Sequence, residues 1–130
     1  MLKTKSVHSA PEADDGLRIL TSRFRGRGIP KTRYDVWMAS LGSSEPLLKR
    51  WKAGKIDWAD YSKSYKEEIF SSRDFDARNK TIKNHGQKFT LRLIKNLAER
   101  QNVTLLCQCR EDEQHCHRHI LQRLILNSAV

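Results

Sequence analysis

Residues 103–119 read Val-Thr-Leu-Leu-Cys-Gln-Cys-Arg-Glu-Asp-Glu-Gln-His-Cys-His-Arg-His. The first five form an apolar run typical of a buried strand, and an amphipathic helix follows with Ile120, Leu121, Leu124 and Ile125 on its apolar face. All three cysteines of the chain lie in this stretch. Parallel α/β sheets bind ligands where a strand ends and a helix begins, because free backbone N–H groups and the helix dipole converge there. We therefore expect the functional site at this turn.

The rest of the chain shows an alternation of strand and helix patterns. Strands are predicted over residues 16–22 and near residues 3–7. Helical periodicity is weak over residues 34–41, and clearer helices begin at Ser43-Ser44-Glu45-Pro46 and at Asp57, where hydroxyl and carboxylate side chains can cap them. The second of these places four residues on one apolar face, and a further helix carries four more: Trp58, Tyr61, Tyr65 and Ile69, then Phe89, Leu93, Ile94 and Leu97.

This order of elements predicts an α/β fold. We expect a single compact domain over residues 1–130, with a small, mostly parallel sheet flanked by helices in a Rossmann-like sandwich. The strand at residues 103–106 should be interior and parallel to residues 17–21, because a continuous apolar run needs cover on both faces.

Length and composition indicate a soluble intracellular protein. A chain of 130 residues can bury a sizeable core as one domain without a disulfide. The cysteines are odd in number, and no apolar stretch resembles a secretory signal or a membrane span. We expect a cytoplasmic location and no membrane partner.

The net charge of +10 would suit a polyanionic partner. Much of this charge falls in residues 71–88, which are rich in lysine and arginine, hold only Phe75 and Ile82 as large apolar groups, and are predicted to be a basic surface segment. Zinc-finger spacing, a basic zipper and RNP-type aromatic motifs are absent from the sequence. Nonspecific nucleic-acid binding by a nonenzymatic accessory protein is therefore one hypothesis.

A second basic feature follows the strand at residues 16–22. It reads Arg23-Phe24-Arg25-Gly26-Arg27-Gly28, a composition suited to close backbone approach and to bidentate capture of phosphate or carboxylate. Its glycines match neither GxGxxG nor the Walker pattern, so the spacing indicates no nucleotide class. If the two strands are neighbours, this loop and the loop after residue 107 open at the same sheet edge and could share an anion. At least one of Arg23 and Arg27 should then point into a cleft.

The cysteine and histidine cluster admits a metal-binding interpretation. Cys107 and Cys109 would face the same way on an extended segment, while His119 lies one helical turn from both Cys116 and His115. These spacings are not paired C-x-x-C knuckles, and a strand cysteine is most often a small buried hydrophobe. We expect no bound metal and no cofactor.

Two other interpretations of the cluster involve a ligand. Cys116 at a helix N-terminus beside His117 and Arg118 has surroundings that lower a thiol pKa, which suits a nucleophile. In the interpretation that we favour, the thiols pack, His117 and Arg118 contact the ligand, and Cys107 is protonated and inert. His117 is the expected proton carrier, because its unperturbed pKa lies near neutrality.

Several motifs together resemble the family called domain of unknown function 488, which includes the YeaO-like proteins. They are residues 15–29, Tyr34-Asp-Val-Trp37, Leu48-Lys-Arg-Trp51, Trp58-Ala-Asp-Tyr61 and Val103-Thr-Leu-Leu, and Cys109-x6-Cys116-His117-Arg118 resembles the CHR ending of one branch. The resemblance covers nearly the whole chain and implies a compact intracellular α/β domain without an assigned activity. Many relatives carry a Trp-Pro pair where this chain has Arg25-Gly26, and the basic segment at residues 71–88 is longer than in the shorter relatives.

The sequence therefore predicts a small anionic ligand, bearing phosphate or carboxylate, in a cleft between the loops after two parallel strands. Nucleic-acid binding and metal binding by the Cys/His cluster are the alternatives, and whether the protein is an enzyme stays open. The expected ligand-binding residues are Arg23, Arg25, Arg27, Cys109, Arg110 and Arg118, and the candidate catalytic residues are Cys116 and His117.

Overall fold

The computed structural model describes residues 1–71, 86–127 and 129–130. Within them the strands are β1 (Leu2–Ser6), β2 (Leu17–Leu20), β3 (Val36–Trp37) and β4 (Val103–Cys107), and the helices are α1 (Glu45–Lys52), α2 (Trp58–Phe70), α3 (Lys88–Arg100) and α4 (His117–Leu126). Short 3-10 turns cover Ala13–Asp15, Lys31–Arg33 and Ala39–Leu41. No helix among these residues is long and apolar enough to cross a membrane.

The sheet is parallel, with the strand order β1-β4-β2-β3. Val103 pairs with Leu2 on one side and with Leu17 on the other, so β4 is interior and buried along its whole length. The predicted α/β class and the predicted neighbourhood of β2 and β4 are confirmed. Because parallel strands end at the same edge of a sheet, the loops after β2 and β4 open side by side.

The two faces of the sheet are covered differently. Ile19 and Leu105 belong to the main core, to which all four helices contribute buried side chains. Leu20 and Leu106 point to the opposite face, since side chains alternate along a strand, and there they pack with Val7, Ile29 and Tyr34 from loops. The sandwich thus has helices on one face and loops on the other within the described residues.

The predicted helix starts are confirmed. The Ser44 hydroxyl accepts a hydrogen bond from the backbone N–H of Leu47, and the Asp57 carboxylate accepts one from Asp60 at 2.7 Å. The predicted aromatic stripe of α2 is buried at Tyr61, Tyr65 and Ile69.

One predicted element is wrong, and one lies outside the described residues. Residues 34–41 form no α-helix: Val36 and Trp37 pair with Ile19 and Leu20 as the short strand β3, and the 3-10 turn Ala39–Leu41 follows. A β-branched and an aromatic residue suit this edge position, and strand pairing overrides a weak helical periodicity. Of the basic segment at residues 71–88, residues 72–85 are not described.

Candidate functional site

A cleft of about 390 Å³ opens where β2 and β4 end. The loop after β2 supplies Ser22, Arg23 and Phe24, and the loop after β4 supplies Gln108 and Cys109. The two loops are joined because the Gln108 amide donates a hydrogen bond to the Ser22 hydroxyl at 3.2 Å. The expectation that these loops border one cleft is met.

The floor of this cleft is a compact group of two thiols and an imidazole. Nδ1 of His117 lies 3.8 Å from Sγ of Cys107 and 4.0 Å from Sγ of Cys116, and these three donor atoms all lie within 4.8 Å of one another. All three side chains are buried. Cys109 is half-buried and also lines the cleft, where its thiol interacts with those of Cys107 and Cys116. All three cysteines are free.

The orientation of the His117 ring is set by its other nitrogen. Nε2 lies 2.9 Å from the carbonyl oxygen of Thr21. A carbonyl can only accept, so Nε2 carries the proton and the lone pair of Nδ1 faces the thiols. Burial lowers the pKa of His117 below its ordinary value, so the ring is neutral near pH 7. Thr21 is itself fixed, since its backbone N–H and its hydroxyl both donate to the Leu106 carbonyl.

The three thiols interact, and their pKa values are shifted in opposite directions. Hydrogen bonds from Cys109 and Cys116, together with the backbone N–H groups of Cys109 and Gln108, lower the pKa of Cys107 to about 3. The pKa of Cys116 is raised by its hydrogen bonds to Cys107 and Cys109 and by burial. At Cys107, hydrogen-bond donors at the end of β4 thus oppose the effect of burial. The inert Cys107 and the activated Cys116 stay predictions. Cys116 and His117 nevertheless lie together at the floor, suited to proton transfer or to ligation of an ion.

Arg118 lies outside the cleft lining. Its side chain is fully buried and donates hydrogen bonds to the carboxylate of Glu111 and to the carbonyl oxygens of Arg110 and Glu111, at 3.0 to 3.2 Å. The next residue on a helix points about 100° away from its neighbour, which separates Arg118 from His117. This guanidinium holds the loop after β4 and has its acceptors within the chain.

The structure separates the arginines that were expected to share an anion. Arg23 lines the cleft, and its Nε donates to the Ser43 carbonyl at 2.9 Å. Arg25 turns away, with its guanidinium over the Tyr34 ring and Nη2 donating to the carbonyl of Ile29 at 3.2 Å. Two others are exposed and do not line the cleft: Arg27, and Arg110, which pairs with Asp112.

One wall of the cleft is aromatic and was missed by the sequence analysis. The rings of Trp58 and His115 stack with centroids 4.8 Å apart, and Tyr61 stacks on Trp58 at 5.0 Å. Trp51 of α1 completes the wall at 5.2 Å from Trp58, beside the exposed Lys52. The apolar spacing of α2 assigned Trp58 and Tyr61 to the core, although an unusual density of tryptophan at the start of α2 and in α1 was a signal.

The histidine pairs considered for a metal are not assembled. His115 stacks on Trp58, and Nε2 of His119 lies 3.0 Å from the carbonyl oxygen of Glu113. Among the described residues, the buried group of possible metal ligands contains His117 instead. Helical spacing could not show this, because the partner of His117 is at the end of a strand.

Comparison with known protein families gives one match. The family model DUF488-N3a, described as "Active DUF488-N3 subclade", matches residues 2–129. No curated protein and no solved structure gives a significant match to the chain.

Proposed function

We propose that this chain, which belongs to the DUF488 family and within it to the subclade described as active, binds a small ligand that combines a flat ring with an anionic group. The observation that carries the proposal is the cleft itself, in which an aromatic wall and two cationic side chains face a floor of thiols and imidazole. Its volume of about 390 Å³ is within the usual range for small-molecule sites, about 300 to 1,000 Å³.

The ring of the ligand is expected to stack on the aromatic wall. The cleft is lined by Trp51, Trp58 and His115, so the faces and edges of aromatic rings form part of its surface. Stacking of a base on an aromatic side chain contributes about 1 to 3 kcal/mol and needs no particular hydrogen-bond pattern. The wall therefore favours a planar ring and does not by itself select one.

The anionic group is expected to contact Arg23 and Lys52, the Lys/Arg side chains that line the cleft among the described residues. The hydrogen bond from Nε of Arg23 to the Ser43 carbonyl fixes the plane of the guanidinium. None of the described residues accepts a hydrogen bond from its two Nη atoms, so the fork can bind two oxygens of a phosphate or carboxylate. This revises the expected set, in which Arg25, Arg27, Arg110 and Arg118 also contributed.

The alternative of a nucleic-acid accessory protein is supported by the net charge of +10 and not by a described surface. Its basic segment lies mostly in residues 72–85, outside the described part of the chain. Binding to generic duplex DNA that falls steeply with salt would favour this alternative over the cleft.

The proposal is tested by titrating the protein with AMP, GMP, CMP and UMP, with the parent nucleosides, and with inorganic phosphate, following tryptophan fluorescence. We expect saturable binding of at least one nucleotide that is tighter than that of its nucleoside or of phosphate. Lys52→Gln should lower the affinity for the nucleotide by up to about fivefold, because an exposed ion pair contributes about 1 kcal/mol. Lys49→Gln is the matched control, since Lys49 lies on the same helix and pairs with Glu45.

The proposal fails if no nucleotide binds saturably, or if nucleotide and nucleoside bind equally well. It also fails if the two lysine variants lose the same affinity, because the effect would then come from overall charge and not from the cleft.

A further inference from the structure

We propose that the floor of the cleft is a zinc site, in which Cys107, Cys109, Cys116 and His117 bind one Zn²⁺ ion. This replaces the metal-free cluster expected from the sequence. The site lies beneath the proposed ligand but depends neither on the identity of that ligand nor on its binding.

The spacing of the donor atoms fits a tetrahedral ion. With Zn–S of about 2.3 Å and Zn–N of about 2.0 Å, a sulfur and a nitrogen on one tetrahedral ion lie about 3.5 Å apart. In the structure Nδ1 of His117 lies 3.8 Å from Sγ of Cys107 and 4.0 Å from Sγ of Cys116. To bind the ion, the donor atoms therefore have to move by a few tenths of an ångström, and rotation of the side chains allows this.

The histidine is already oriented for ligation. A metal-binding histidine usually donates its other ring N–H to a carbonyl or carboxylate, which fixes the tautomer and the ring plane. The bond of 2.9 Å from Nε2 of His117 to the Thr21 carbonyl is such a contact, and it leaves the Nδ1 lone pair directed at the two sulfurs. A histidine that only filled space in the core would not need its free nitrogen among thiols.

The sulfurs have the surroundings of ligands and not of packing groups. The backbone N–H groups of Gln108 and Cys109 favour the charged form of the Cys107 thiol. Such donors stabilise a thiolate, the form in which cysteine binds a metal. Cys109 lines the same cleft two residues after Cys107, and its thiol interacts with those of Cys107 and Cys116, so rotation of its side chain can bring a third sulfur to the fourth position.

The donor set selects the ion. Three sulfurs and one imidazole nitrogen at tetrahedral spacing are a common structural zinc set, whereas iron–sulfur clusters mostly require four cysteines. With all four positions taken by side chains, the ion has no open position for substrate. Its role is to tie the end of β4 to the start of α4, which holds the floor of the cleft in place.

The first measurement is zinc content by mass spectrometry of the full chain, purified without added metal or chelator. We expect about one zinc ion per chain, lost in His117→Gln and kept in His119→Gln. His119 is the matched control, because it lies on the same helix and contacts the Glu113 carbonyl at the surface.

Co²⁺ substitution in the wild-type protein keeps the proposal testable if a variant fails to fold. We expect the absorption of a tetrahedral ion with thiolate-to-metal charge transfer, and in Cys109→Ser the loss of about a third of the charge-transfer intensity, since one of three sulfurs is removed.

Wild-type protein that contains no zinc and, after reduction, shows no thiolate charge-transfer band with Co²⁺ overturns the zinc site. Equal loss of zinc from the His117 and His119 variants overturns the proposed ligands. Zinc content and the Co²⁺ spectrum are measured without nucleotide, so failure of the zinc site and failure of the proposed function are distinguishable.

Discussion

Replacing Arg118 with methionine should destabilise the fold and leave ligand contacts in the cleft in place. The guanidinium is fully buried, and its Nη atoms donate three hydrogen bonds to the carboxylate and carbonyl of Glu111 and to the carbonyl of Arg110. Nε has no partner among the described residues. The charge is thus held by the chain itself.

The magnitude follows from opposing contributions. Three hydrogen bonds to a charged group stabilise the fold by about 1.5 to 3 kcal/mol each, and the desolvation of the guanidinium cancels several kcal/mol of this. Methionine avoids the desolvation penalty of the guanidinium. It leaves two carbonyl oxygens without a donor, which costs about 1 to 3 kcal/mol for each. We expect Arg118→Met to lower the free energy of unfolding by about 2 to 4 kcal/mol. Glu111→Gln should cost under about 1 kcal/mol, because the Glu111 side chain is 52% exposed.

Urea unfolding followed by circular dichroism measures both changes, and the nucleotide titration is repeated on each variant under folding conditions. Arg118→Lys keeps the charge but cannot reach all three acceptors, so its stability should fall between wild type and methionine. If Arg118→Met is as stable as wild type yet binds nucleotide at least tenfold more weakly, Arg118 is an anion contact and the structural argument is wrong.

Two further predictions concern buried polar groups. Burial alone would raise the pKa of Asp15, but the backbone N–H of Glu12 and the Lys5 ammonium more than offset it and hold this pKa below its ordinary value. The stability from the charged carboxylate is complete above the unfolded pKa of about 3.9 and is lost as pH falls through the lower folded pKa. Asp15→Asn should therefore make the free energy of unfolding depend less on pH between about pH 5 and 2. An unchanged slope would refute this. Tyr65→Phe leaves the Leu41 carbonyl without the phenol donor now 2.6 Å away and should cost about 1 to 2 kcal/mol in urea unfolding, whereas unchanged stability would mean that another group satisfies the carbonyl.

The sequence was informative wherever a local pattern has one structural solution. The five-residue apolar run of β4 has to be interior, and serine or aspartate before an apolar helical face has to cap it, so these elements were predictable. Val36 and Trp37 show the limit, since an edge strand of two residues is decided by its neighbour Ile19 and not by its own periodicity.

The site shows the same limit at finer scale. His117 and Arg118 are adjacent, and only the packing of Ile120 and Leu121 into the core decides which of the two faces the cleft. His117 lies next to Cys107 because of how α4 packs against β4. This is a tertiary contact, which the spacing of residues along the chain does not encode.

The central position of β4 has a consequence for biosynthesis. β1 and β2 are translated early, yet neither pairs with the other, and the strand that separates them begins at Val103. At about 5 to 20 residues per second, a ribosome needs about 4 to 17 s to pass from the end of β2 to the start of β4. During that interval the nascent chain presents two strands without their shared partner, a state open to chaperones and to aggregation, and the thiols and imidazole of the floor cannot meet until it ends.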